Sequence, residues 1–284
     1  MARDMSRDGF GSFDPLKHFS RVLMQQGAVQ RDADWNEQAA ILQHLVRRLA
    51  ANVFPDGGGR GFGITALNAA NAFDDFAIGA GDYWVDGILC ELEATPVDVV
   101  GLDATKGRIV VDASTVDGTP FTVGQYVLVS GNGPRSSGAV EVTGRITASM
   151  DDTRTLALDA DLAPLATATN LRAYRLVTYK TQRSGLPDSQ PLVAGKQYQI
   201  YLDVWERAVT ILDDGSIREV ARDGPDTATR TQVMWQVRAL EFAPQSPSPD
   251  GTLHHYARLA VATLHDGEAP TLEPCVPQQP YRAK

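Results

Sequence analysis

One stretch of this chain repeats at the period of a helix, and only one does. In VLMQQGAVQRDADWNEQAAILQHLVRRLAANV, residues 22–53, the apolar positions Trp35, Ala39, Leu42, Val46, Leu49 and Val53 are spaced 4, 3, 4, 3 and 4. That spacing draws a single greasy seam along a helix at a period of about 3.5 residues. Asp32 or Asp34 is placed to cap its start, and Arg47 and Arg48 lie in its last turns, where positive charge is favoured. The run Pro55-Asp56-Gly57-Gly58-Gly59 stops it. A solitary helix on a β-rich protein must bury its seam somewhere. Either it lies on its own domain, or it meets copies of itself.

The remainder reads at a period of two. Asp75–Ala80 is a strand candidate, and Gly81-Asp82 and Asp86-Gly87 frame a hairpin or meander across Tyr83-Trp84-Val85 and Ile88-Leu89-Cys90. Residues 101–175 form a separate block rich in Val, Thr, Gly and Asp. Its strand candidates are Arg108–Asp112, Tyr126–Ser130, Ala139–Ile146, Thr155–Leu158 and Leu171–Tyr174. Five short strands at even spacing predict a small barrel or sandwich, serial or inserted. Longer alternating runs follow at Gln197–Trp205, Gln232–Leu240 and Arg258–Leu264. The expected architecture is mainly β with one long N-terminal amphipathic helix, built of sandwich or barrel modules. Residues 1–21 form an extended arm. Residues 22–100 join the 176–265 β domain around 101–175, and 266–284 form a Pro-rich extended tail.

Bulk properties exclude several classes. A net charge of −9 without a basic run argues against nucleic acid as a partner. No apolar window is long enough for a membrane span. The N-terminus lacks the apolar core of a signal peptide, so synthesis in the cytoplasm is expected. Cys90 and Cys275 make neither a metal spacing nor a disulfide framework, and read as buried or half-buried thiols.

Chemistry is sparse. Gly61-Phe62-Gly63-Ile64-Thr65-Ala66 fits G-x-G-x-x-A, but it follows a helix and reads as a flexible linker. His254 and His255 are neighbours, so a strand would turn them to opposite faces; they read as solvated strand-end residues. Asp203 and Glu206 flank Trp205 and offer a carboxylate pair of the glycosidase kind. Glu206-Arg207, Arg218-Glu219 and Asp226 with Arg230 read as a register-fixing charge network, or as an intersubunit one. No cofactor, metal or catalytic motif is found.

Two segments carry a resemblance. Gly27, Gln30 and then Asp34-Trp35-Asn36-Glu37-Gln38 at the helix start resemble the opening of an uncharacterised family of tail-associated proteins, encoded near phage tail and contractile-injection genes. Tyr201–Leu240 looks like that family's second hallmark, and GDYWVDGILCELE resembles its strand pair after the helix. A weaker similarity reaches phage tail-fibre attachment domains. The resemblance implies a non-enzymatic structural part at a baseplate, spike, cap or fibre base, acting as adaptor or plug. It implies no cofactor, and partners among tail subunits and copies of the chain, with threefold or sixfold symmetry open. Interface candidates are Phe10, Phe13 and Phe19 on the arm, Trp35, Leu42 and Leu49 on the helix, Tyr83 and Trp84 on the hairpin, and Arg230. The alternative is a particle-borne or secreted β protein that binds or cleaves carbohydrate, with Tyr83 and Trp84 as its aromatic platform.

Overall fold

The computed structural model describes residues 13–54, 57–67, 75–134, 138–182, 189–218, 228–241, 253–265 and 269–275. Among them there is one α-helix, α1 (Asp32–Val53). Neither aspartate caps it. Arg31 is the N-cap, with no side-chain cap bond, and its guanidinium reaches Oδ1 of Asp34 at 3.1 Å. Asp32 and Asp34 instead occupy the first turn, still at the positive end of the helix dipole. Arg47 and Arg48 stop short of the last turn, which holds no basic residue.

After the helix come β1 (Gly58–Gly59), β2 (Ile64–Ala66), β3 (Phe76–Ile78), β4 (Gly81–Val85) and β5 (Ile88–Leu92). Strands β4 and β5 form the expected hairpin. Its two turn residues, Asp86 and Gly87, have φ of 48° and 77°, the positive values that a tight two-residue connection requires. The glycine run before it is no loose linker. A Cβ on Gly59 would stand 2.0 Å from the Asp82 carbonyl oxygen, so only glycine lets β1 lie against β4 here. The run then opens a strand rather than a helix, which removes the phosphate-loop reading.

The middle block closes into a six-stranded barrel. Its strands are β6 (Pro96–Asp103), β7 (Arg108–Val111), β10 (Tyr126–Asn132), β11 (Ala139–Met150), β12 (Thr155–Leu158) and β13 (Thr169–Arg175). A small hairpin, β8 (Thr115–Val116) with β9 (Thr119–Pro120), lies between β7 and β10. The order around the barrel is β10-β11-β12-β7-β6-β13. Ile109, Val111, Val127, Val129, Ile146 and Leu156 fill its interior from alternate positions. All five strand candidates of this block are strands. The barrel begins earlier than 101, because Pro96 already pairs with Tyr174, so the chain goes in and comes out side by side.

The chain returns through β14 (Val177–Thr178), which extends the small sheet β14-β3-β2. It then builds a four-stranded sheet from β15 (Gln197–Val209), β16 (Arg230–Leu240), β17 (His255–Thr263) and β18 (Thr271–Pro274), in the order β16-β15-β17-β18. Tyr198, Ile200, Leu202 and Val204 alternate on the inner face of β15 and are buried. Val237 and Ala239 stand opposite Leu202 and Ile200 and share that face. The two small sheets cover it with Phe62, Phe76, Ile78, Tyr83, Val85 and Ile88, which makes one sandwich core. Part of the tail expected to be unpaired and extended is therefore an edge strand, β18, paired to β17. Residues 276–284 lie outside the described residues.

Side chains lock the joints. Gln182 lies along the outer edge of β16: its amide donates to the Val237 carbonyl and accepts from the Val237 N–H, as a neighbouring strand would. Buried Asp75 accepts from the N–H groups of Phe76 and Lys180, tying β3 to the segment that leaves the barrel. Burial pushes the Asp75 carboxyl above its usual range, against the pull of Thr178 and those amides.

Candidate functional site

The helix turns the wrong face inward. Of its 22 residues only Ile41 and Ala50 are buried, with Ala40, His44, Arg47 and Ala51 half-buried beside them. Arg47 is held by Glu206 of β15 at 2.7 Å, and the Arg47 carbonyl abuts Gly87 at the hairpin turn. These contacts fix the rotation of α1 about its axis. The heptad seam then points away from the body: Trp35 is 59% exposed, Leu42 55% and Leu49 67%, and Val46 and Val53 are more than half exposed as well. Ala39 is exposed between them. Of the two alternatives left open by the spacing, packing of the seam on its own domain is not what the structure shows.

The arm runs beside this surface. The Val22 N–H donates to Oε1 of Gln38 at 2.9 Å, which lays residues near 22 along one flank of the seam. Phe13 docks its ring on His44, with centroids 5.4 Å apart, and is half-buried. Phe19 is exposed, as are Leu16, Leu23, Met24 and Val29. On the other flank a groove of about 560 Å³ separates helix from sheet, lined by Phe13, Asn36, Ala39, Gln43, Glu206 and Thr231 among others. Single exposed apolar residues are ordinary, but here they run together along α1 and the arm.

A second constellation lies on the outer face of the large sheet. Asp203 of β15 is 1% exposed; its carboxylate lies 2.6 Å from Nδ1 of His254 and 3.0 Å from Nε of Arg238. One carboxylate thus joins three adjacent strands, because His254 precedes β17 and Arg238 is on β16. Trp205 stacks on His254 at 4.9 Å and 15°, and Tyr256 stacks beyond it. Desolvation raises the Asp203 carboxyl, and the bonds to His254 and Arg238 pull it back. Geometrically this is an imidazole whose orientation is fixed by a buried aspartate. Glu206, the other half of the carboxylate pair read in the sequence, is an odd number of residues away. It faces the opposite side of β15, engaged with Arg47. Asp203 and Glu206 therefore do not share a cleft. Among the described residues no group of three or more His, Cys, Asp or Glu could hold a metal ion.

Residues 1–124 and 181–270 match the model of a protein family of unknown function, DUF6519. The chain belongs to that family. No curated protein and no solved structure matches the chain. The part of the DUF6519 protein covered by the family model carries α1, the hairpin and strands β15 to β17. It also carries β6 to β9 of the barrel block; the internal stretch outside it, 125–180, holds β10 to β14, and β18 lies beyond its end. Both surfaces described above therefore lie within the shared part.

Not every candidate residue of this DUF6519 protein reaches the surface. Tyr83 is 5% exposed and packs edge-on against Phe62 in the sandwich core, so it offers nothing to a partner. Trp84 alternates away from it and is half-buried, and the two do not form a platform. Arg230 is exposed at the start of β16 and donates to the Thr229 carbonyl; Asp226 and Phe10 lie outside the described residues. His254 and His255 do face opposite sides, bound to Asp203 and to Asp86. His254 is not a solvated residue, at 10% exposed; His255 does open β17 and is half-buried against the exposed Asp86. Cys90 is buried, its thiol pushed up to about 12, and Cys275 is half-buried; neither is in a disulfide. Sequence reasoning missed Leu45, exposed beside the seam, and the Asp203–Arg238–His254 triad. A signal for the triad existed: Asp203 is an acid inside the apolar run Ile200–Trp205, and β16 carries Arg238 two positions from Gln236, the residue opposite Asp203.

Proposed function

We propose that this DUF6519 protein is a non-enzymatic structural or adaptor subunit of a phage-tail-like or contractile-injection particle. It sits at a baseplate, spike, cap or fibre base and assembles there from cytoplasmic synthesis. The observation that carries the reading is the outward seam of α1, flanked by an arm whose Phe19, Leu23 and Val29 are also open. A surface of that kind is stable in water when a neighbour covers it. The kind of particle comes from the resemblance of residues 27–38 and 201–240 to tail-associated proteins. The separation of Asp203 from Glu206 removes the residue pair that most favoured glycoside cleavage.

The test is to tag the chain in its native cell, sediment assembled particles, and identify their subunits. Sedimentation of the tagged chain together with tube and baseplate subunits, in particles seen by electron microscopy, is the expected result. A chain that stays at the top of the gradient while intact particles pellet without it overturns the proposal. No helix among the described residues is long and apolar enough to cross a membrane, so particle pellets can be separated from membranes by detergent without extracting such a span.

A further inference from the structure

We propose that α1 pairs antiparallel with α1 of a second copy of this chain, across a two-fold axis near His44 and Leu45. The inference rests on the reading of α1 as an assembly surface and narrows it to one occupant. Three observations select a second copy.

The first is the heptad itself. With Ala39, Val46 and Val53 at one seam position and Trp35, Leu42 and Leu49 at the other, α1 carries the alternation by which helices pack against helices. The side of the helix turned away from the seam is anchored through Ile41 and the Arg47–Glu206 bridge, and Ala50 is buried at the seam's flank, so the seam is held outward and cannot roll in.

The second is charge. From Trp35 to Val53 the positions flanking the seam are Asn36, Gln38, Gln43, Leu45, Ala50 and Asn52. None is charged, so two copies approach without like-charge repulsion. A partner rich in acid or base would find nothing to pair with there.

The third is volume. In the antiparallel arrangement the layers join Trp35 to Val53, Ala39 to Leu49 and Leu42 to Val46 of the second copy, large on small each time. Parallel pairing would stack Trp35 on Trp35 and Ala39 on Ala39, leaving one layer crowded and the next hollow. Antiparallel pairing also brings Leu45, half-exposed and off the seam, onto its own mate at the axis. The seam from Trp35 to Val53 is about 27 Å long at the helical rise. Its six side chains present several hundred Å² of apolar area. Together with Phe19, Leu23 and Met24 of the arm they approach the ~800 Å² per partner of a stable interface.

The experiment measures the mass of the purified full chain across concentrations, and then cross-linking of single cysteines in a Cys275→Ser background. A dimer of 30.7 kDa chains is expected, and Leu42→Asp with Leu49→Asp weakens it by ~100-fold or more while leaving circular dichroism unchanged. Leu45→Cys forms a disulfide-linked dimer on mild oxidation, and Val53→Cys alone does not. Should the aspartate variant fail to fold, the cysteine pair decides. A monomer at all concentrations overturns the pairing, and so does efficient self-linking of Val53→Cys. If the chain is monomeric yet the seam substitutions abolish incorporation into particles, the pairing falls and the assembly function stands. If incorporation also survives them, both fall.

Discussion

The barrel and the helix solve the same problem in opposite ways. In the barrel, residues 96–175, alternation turns Ile109, Val111, Val127, Val129 and Leu156 into a closed interior, and Val100 and Val123 are among the few large apolar groups it leaves open. Helix α1 buries Ile41 and Ala50 and leaves open Trp35, Leu42, Leu45, Val46, Leu49 and Val53. A closed sheet satisfies both its hydrogen bonds and its apolar face within one chain. A lone helix satisfies only its hydrogen bonds, and here its apolar seam stays open to water. The barrel encloses its apolar face within the chain, and the helix does not.

That contrast can be broken at the barrel first. Ile109→Asp buries a charge among fully enclosed side chains and should prevent folding of the module altogether, read as loss of cooperative urea unfolding. Ile109→Ala should cost about 2–5 kcal/mol. At the helix, Ile41→Ala removes the deepest anchor and should cost about 2–4 kcal/mol, with α1 becoming the first segment to exchange amide hydrogens.

The third test concerns the joint between barrel and sandwich. Asp75→Ala strips the acceptor from two amides and should cost about 1–3 kcal/mol, whereas Asp75→Asn keeps an acceptor and should cost less. Because burial raises the Asp75 carboxyl, the folded state takes up its proton at higher pH than the unfolded chain does. Wild type should therefore gain stability relative to Asp75→Asn as pH falls towards the usual carboxylate range, and lose that gain as pH rises again. The opposite slope in paired urea titrations would refute the assignment. The smallest effect belongs to the seam. At concentrations low enough that wild type is monomeric, Leu42→Asp and Leu49→Asp should leave the unfolding free energy within about 0.5 kcal/mol of wild type. A large loss would mean that the seam does pack on its own domain.

Much of the fold was legible because period-two alternation depends only on which face is buried. Gln197–Trp205 and Gln232–Leu240 reveal an inner face that the structure fills, and Asp86-Gly87 announces its own turn. The helix was legible from the spacing of its apolar seam, but that the seam faces outward was not. That direction depends on Arg47 meeting Glu206, a contact between residues 159 apart in the chain. Tyr83 and Trp84 show the limit from the other side. Adjacent aromatics in a strand must face opposite ways, and nothing local says which one goes in. The glycine run was misread because a close backbone approach and a flexible linker use the same residue; only the Asp82 carbonyl opposite Gly59 tells them apart. The Asp203 triad needed strand register before its three members could be seen together.

One feature of the barrel reaches beyond this chain. Pro96 and Tyr174 face each other across a single strand spacing, so the whole module hangs from the sandwich by two neighbouring stems. Such a socket tolerates replacement of what is plugged into it, because shortening, enlarging or exchanging the module leaves the distance between the stems unchanged. A chain built in this way can present a different domain at this point without altering the helix or the large sheet.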